Sequence, residues 1–263
     1  MTARSHNGFL CGDDQLVGTL DHGPNAVGLL IVSGGNEIRA GAWGGQAQLA
    51  ANVAAAGHPV FRFDRRGVGD SEGANAGFRS VQPDIAAALA AFRQAAPHLA
   101  RVVGFGNCDA ASALMLGAGC GCDGLVLANP WTFEDTLEDD AAPELSPAAV
   151  RARYFAKLSS PREVWRLLSG GVNLAKLARG LRAAAAPPPP PTSLLREMDL
   201  GLQRFAGPVR IVLASRDRTA QAFSEAWPTG DNRIRRIESG SHSFSDEEAK
   251  AFLLNEILAA LAG

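Results

Sequence analysis

The stretch that most narrows what this chain can become is Arg101-Val102-Val103-Gly104-Phe105-Gly106-Asn107-Cys108-Asp109-Ala110-Ala111-Ser112-Ala113. A β-branched apolar run stops at glycine, a reactive side chain follows, and alanine-rich helical sequence begins at once. Strand, sharp turn and helix, with the reactive residue on the turn, is the layout of a nucleophile elbow. Gly106 and Ala110, two residues before and two after Cys108, are small. They have to be, because such a turn strains the backbone and leaves no room beside the neighbouring strand and helix. A small buried cysteine closing a core strand fits the same segment. The rest of the chain decides between the two.

Short apolar runs alternate with longer alanine-rich segments, the pattern of an α/β fold: a mostly parallel twisted sheet with helices on both faces. Strands are expected at residues 8–11, 16–20, 26–32, 59–63, 101–106, 124–128, 209–214 and 233–237. Helices are expected at 43–56, 80–95, 109–116, 220–226 and 246–261, the last opened by a capping box of Ser245 and Glu248. At 263 residues, 46% of them hydrophobic, the chain suits one large domain with a substantial core and an insertion.

Texture changes after Asn129-Pro130-Trp131. Six carboxylates and no cation lie between 134 and 144; eight cations and one carboxylate, Glu163, lie between 151 and 182. Five consecutive prolines, residues 187–191, follow as a stiff spacer. Residues 1–130 and 207–263 therefore read as the core, and 131–206 as a helical cap inserted into it. The basic cluster (Arg151, Arg153, Lys157, Arg162, Arg166, Lys176, Arg179, Arg182) could gather anionic substrates, lie against anionic lipid, or be a solvated face paired with the acidic run.

A net charge of −2 gives no push toward nucleic acid. Four irregularly spaced cysteines make no disulfide framework, and Cys120-Gly121-Cys122 lacks the spacer of a zinc or redox pair. No metal and no cofactor is expected. The amino terminus carries no apolar signal region, so the expected setting is cytoplasmic and reducing, where a catalytic thiol survives.

A thiol nucleophile needs a base to take its proton and an acid to orient that base. Asp217 follows the strand near 209–214, and His242 lies on the loop after 233–237. Cys108, Asp217 and His242 thus fall at three strand ends in the order nucleophile, acid, histidine. The Asp109 backbone N–H should face a developing oxyanion. The second donor should come from Ser33-Gly34-Gly35-Asn36, with Gly35 the favoured N–H. The Asp109 carboxylate is expected to serve the helix N-terminus. Asn36 and Trp131 are expected to contact substrate. Asp64, in Asp64-Arg65-Arg66-Gly67-Val68-Gly69-Asp70-Ser71, also follows a strand but reads as a turn tied by Asp–Arg contacts.

Over nearly its whole length the chain resembles the α/β-hydrolase superfamily, and more narrowly it is similar to the exosortase A system-associated hydrolases of the type 1 group. The narrower likeness is carried by Gly106-Asn107-Cys108-Asp109-Ala110 together with Leu127-Ala128-Asn129-Pro130-Trp131. It implies bacterial exopolysaccharide and protein-sorting neighbourhoods and assigns no substrate. Cysteine at the elbow departs from the serine of most superfamily members and resembles dienelactone hydrolases and polyhydroxyalkanoate synthases. The resemblance and the residues imply an acyl hydrolase acting on a small-molecule ester or thioester. An acyltransferase is the alternative within the enzymes. A ligand-binding protein with weak turnover is the alternative outside them.

Overall fold

The structure is a computed structural model and describes residues 3–133 and 192–263. Eight strands form one sheet: β1 (Arg4–Cys11), β2 (Asp14–Asp21), β3 (Val27–Val32), β4 (Val60–Phe63), β5 (Arg101–Asn107), β6 (Gly124–Ala128), β7 (Val209–Ala214) and β8 (Ile234–Ile237). Their spatial order is β1-β2-β4-β3-β5-β6-β7-β8. The hairpin β1–β2 is antiparallel, and β2 joins β4 antiparallel. From β4 to β8 every pairing is parallel. The expected fold class is the one observed, a mostly parallel sheet covered on both faces.

The strand sequences show why both faces are covered. On β3, Leu30 and Val32 enter one core while Leu29 and Ile31 enter the other. On β6, Leu125 and Leu127 alternate with Val126 and Ala128, and on β7 Ile211 and Leu213 alternate with Val212 and Ala214. Successive side chains point to opposite faces, so a strand apolar at every position has to be sandwiched.

The first face carries α2 (Gln82–Ala95), α3 (Asp109–Leu116), α4 (Ser193–Arg204) and α5 (Arg218–Ala226). The second carries α1 (Gly45–Ala55) and α6 (Glu247–Ala262). Helix α4 falls inside the stretch that the sequence assigns to the insertion, yet Leu194, Leu195, Met198 and Leu202 are buried in the first core. Gly201 fits so closely that a Cβ there would come within 1.9 Å of the Met115 carbonyl oxygen on α3. The acidic run, the basic cluster and the five prolines lie outside the described residues.

The cap of the last helix differs from expectation. Helix α6 is capped by Asp246, whose Oδ1 accepts from the Ala249 amide at 2.9 Å. Ser245 instead turns its hydroxyl to that of Ser241, 2.8 Å away. Both are good N-cap residues. Ser239 decides between them, because its hydroxyl donates to the other Asp246 oxygen at 2.6 Å and fixes that carboxylate over the helix start.

Candidate active site

All the residues assigned to chemistry lie at the carboxyl ends of parallel strands, where loops of such sheets gather. Cys108 sits between β5 and α3 with φ 60° and ψ −127°, a conformation costing about 1–3 kcal/mol for a residue with a side chain. The surroundings hold it there. Its amide donates to Ala128 O on β6 at 3.0 Å, and its carbonyl accepts from the Trp131 amide at 3.2 Å. A Cβ on Gly106 would come within 2.7 Å of the Ala110 backbone, so the helix can start this close only beside glycine.

Asp217 ends the β7 loop as the N-cap of α5. Its Oδ2 accepts from the Ala220 amide at 3.0 Å and lies 3.1 Å from His242 Nδ1. The Cys108 sulfur is near enough to His242 to favour its charged form. Cys108, His242 and Asp217 thus come together where β5, β8 and β7 end. The Asp217 carboxylate and then the Cys108 sulfur favour the charged imidazole, raising the His242 pKa to about 10 against the opposing effect of burial.

Burial pushes Cys120 and Cys122 up to about 12. Burial, followed by the Asp84 carboxylate, raises Cys11. A thiol held neutral is a poor nucleophile.

Sequence reasoning missed two residues that position the histidine. The His242 carbonyl accepts from Asn107 Nδ2 at 3.2 Å and from Asn129 Nδ2 at 3.0 Å. Asn129 is fully buried, has φ 41°, and its Oδ1 accepts from the Ala214 amide at 2.9 Å. It thus ties the end of β6 to β7 and to the histidine loop. The signal was available: asparagine tolerates the left-handed region better than most residues, and it stands where β6 must turn.

Of the expected oxyanion donors, Asp109 begins α3 and Gly35 lies on the exposed β3–α1 loop. The Asp109 carboxylate does not keep to its own helix terminus. Its Oδ1 accepts the Gly35 amide at 2.7 Å, and Arg65 Nη1 stands 3.5 Å from Oδ2. The cause is proximity, since the β3 loop is packed against the elbow tightly enough that a Cβ on Gly34 would lie 2.8 Å from Asp109 Oδ1.

Asn36 is exposed and accepts from Asn75 Nδ2 at 2.7 Å. Trp131 is half-buried; Ser112 Oγ donates to its carbonyl at 2.7 Å, and its ring meets Phe133 edge-on. Asp64 is a turn residue as expected, but its partners differ. It binds the Arg39 amide and guanidinium and the Asp70 amide, while Arg66 reaches Asp84 at 2.6 Å. Charge alone does not choose between three nearby arginines; the path of the β3–α1 loop brings Arg39 to Asp64.

A cavity of about 360 Å³ adjoins the site, between the β3–α1 loop, α1, α6 and the histidine loop. Phe105, Asn107, Phe244, Leu49, Leu253 and Trp43 contribute to its lining, which includes neither Cys108 nor Asp217. It is a neighbour of the reacting groups rather than their seat. No group of three metal-ligating side chains comes together among the described residues, and no helix among them is long and apolar enough to cross a membrane.

The sequence profile of the alpha/beta hydrolase family matches residues 22–254. Among solved structures the fold is similar to an esterase from Pyrococcus furiosus, with TM-score 0.62 and 16% identity over 100% of this chain and 92% of that one. It is similar also to the alpha/beta hydrolase GrgF from Penicillium sp. sh18, with TM-score 0.61 and 16% identity over 98% of each chain. A thioesterase domain from the curacin biosynthetic pathway aligns with TM-score 0.53 and 16% identity, over 97% of this chain and 99% of that one. No curated protein sequence matches the chain.

Proposed function

Because the chain belongs to the alpha/beta hydrolase family, we propose that it is an acyl hydrolase for small-molecule esters or thioesters, with Cys108 as nucleophile, His242 as base and acid, and Asp217 as the group that orients the histidine. The observation that carries this reading is that Asp217 Oδ2 lies 3.1 Å from His242 Nδ1, while Cys108 occupies a strained turn after the central strand and its sulfur favours the charged imidazole.

The Cys108 sulfur, its proton passed to His242, attacks the acyl carbonyl carbon. A C–S bond forms, and the carbonyl π pair moves onto oxygen, which the Asp109 and Gly35 backbone N–H groups would receive. Collapse of that intermediate breaks the bond to the leaving oxygen or sulfur, which takes the proton from His242. Water then attacks the acyl-cysteine with His242 as base, the C–S bond breaks, and the acid leaves. An acyl acceptor other than water would use the same intermediate, because a thioester at Cys108 can pass its acyl group to an alcohol or amine as well as to water.

The narrower likeness to exosortase A system-associated hydrolases rests on the sequence segments 106–110 and 127–131. Four unbridged cysteines fit the reducing compartment expected from the sequence.

The test is a panel of p-nitrophenyl esters and acyl-CoA thioesters, with mass spectrometry after rapid quenching. An acyl adduct on Cys108, lost in Cys108→Ala, is expected; an adduct on Cys11, Cys120 or Cys122 would defeat the assignment. His242→Ala is expected to lower turnover by about 10²–10⁴-fold, the usual worth of a general base. Added alcohols and amines in the same assay separate the two readings: rising ester or amide product at constant Cys108 acylation identifies transfer.

A further inference from the structure

The Gly35 amide, the second oxyanion donor, already has a partner. Asp109 Oδ1 accepts it at 2.7 Å, so an arriving carbonyl oxygen has to displace a carboxylate of the protein itself. The other oxygen of that carboxylate is held loosely. Arg65 Nη1 lies 3.5 Å from Oδ2, at the outer limit of a hydrogen bond. The Arg65 side chain is only 3% exposed, and its Nε is buried with no partner among the described residues. A buried guanidinium that leaves a donor unused is costly. The same guanidinium stands, through Nη1, 3.5 Å from a carboxylate whose other oxygen is engaged elsewhere.

We propose that Asp109 gates the oxyanion site: its carboxylate holds the Gly35 N–H while no substrate is bound and moves onto Arg65 when an acyl carbonyl takes that N–H. The inference rests on Cys108 being the acylated residue. The exchange leaves nothing buried unpaired, because the Gly35 N–H trades a carboxylate oxygen for a carbonyl oxygen and Asp109 trades an amide for the idle guanidinium donor. It also selects. A carbonyl positioned over Cys108 by the rest of the substrate opens the gate, whereas water in the empty site competes poorly with a charge-assisted bond. An acyl group with a carboxylate next to its carbonyl would meet Asp109 in either position, so the gate favours neutral acyl groups.

A double-mutant cycle on the full chain tests this, with p-nitrophenyl acetate as probe. Two rates at Cys108 are compared: single-turnover acylation, which needs the oxyanion donors, and alkylation by iodoacetamide, which needs only the thiolate. Asp109→Ala empties the seat and should raise the ratio of acylation to alkylation by about three- to tenfold, since the competent fraction of molecules sets the apparent rate. Arg65→Gln removes the receiving cation and should lower the ratio by about tenfold in the Asp109 protein, yet by less than about twofold in the Asp109→Ala protein. Equal loss in both backgrounds overturns the gate, as does a change in alkylation that accounts for the whole change in acylation. If Arg65→Gln does not fold, Arg65→Lys keeps a cation but not the planar fork; it should give a smaller loss, again only with Asp109 present, and no loss overturns the proposal. A wild-type protein alkylated at Cys108 but never acylated removes the underlying reading, and the gate with it. Normal acylation without coupling between the two positions removes the gate alone.

Discussion

One carboxylate oxygen at Asp217 serves two partners, the Ala220 amide that opens α5 and the Nδ1 of His242. Two replacements at this position should therefore behave differently. The side chain introduced by Asp217→Asn is still a good N-cap, so thermal stability should stay near wild type while turnover falls. Asp217→Ala loses the cap as well and should cost about 0.5–2 kcal/mol by denaturant unfolding. Equal stability of the two variants would mean that the cap is carried by something else. The histidine gives a second measurement. Asp217 is the larger cause of its raised pKa and Cys108 the next, so an NMR titration should rank wild type above Cys108→Ala and Cys108→Ala above Asp217→Asn. A Cys108→Ala value equal to wild type would remove the sulfur from the pair. The sign for stability follows from the direction: a pKa moved from 6.5 up to about 10 means that the folded state holds the proton more tightly. That contribution is complete below about pH 6.5 and is lost as pH rises through about 10.

At the level of elements, the strand and helix pattern was legible because β3, β6 and β7 are apolar on both faces and each chemical residue follows a strand. Cys108, Asp217 and His242 could be placed from that alone. What could not be read is every contact that depends on how loops approach each other. The Gly35–Asp109 bond spans 74 positions, and Arg39 reaches Asp64 across 25; neither leaves a periodicity to find. Ser245 and Asp246 could not be told apart as caps without Ser239 nearby in space. The Asn129 clamp belongs to the same class, and it is testable. Replacing Asn129 by Ala strips partners from the Ala214 amide and reduces those of the His242 carbonyl, which should cost about 1–3 kcal/mol. If the clamp positions His242, kcat should fall while KM changes little; an unchanged kcat in a folded variant would make Asn129 purely architectural.

Across the whole molecule, we propose that residues 134–191 belong to an insertion that sets which acyl chain or leaving group is accepted. The packing of α4 limits where it can be exchanged. A replacement confined to residues 134–191 should leave unfolding near wild type, keep Cys108 reactive to iodoacetamide, and alter the substrate profile. Truncating Leu195 or Met198, both in the first core, should cost about 2–5 kcal/mol each. A substrate profile unmoved by the exchange would place specificity in the strand-end loops instead. The sheet order also has a consequence measured in time. β7 is the parallel neighbour of β6, but residues 129–208 are synthesised between them. At about 5–20 residues per second, the edge of β6 waits roughly 4–16 seconds on the ribosome for its partner. Asp217 and His242 emerge later still. The elbow cysteine is therefore a bystander for most of the chain's synthesis, and it acquires its proton acceptor only when the last strand and its loop arrive. A thiol armed that late spends little of its life able to react with metabolites before the fold that selects among them is complete.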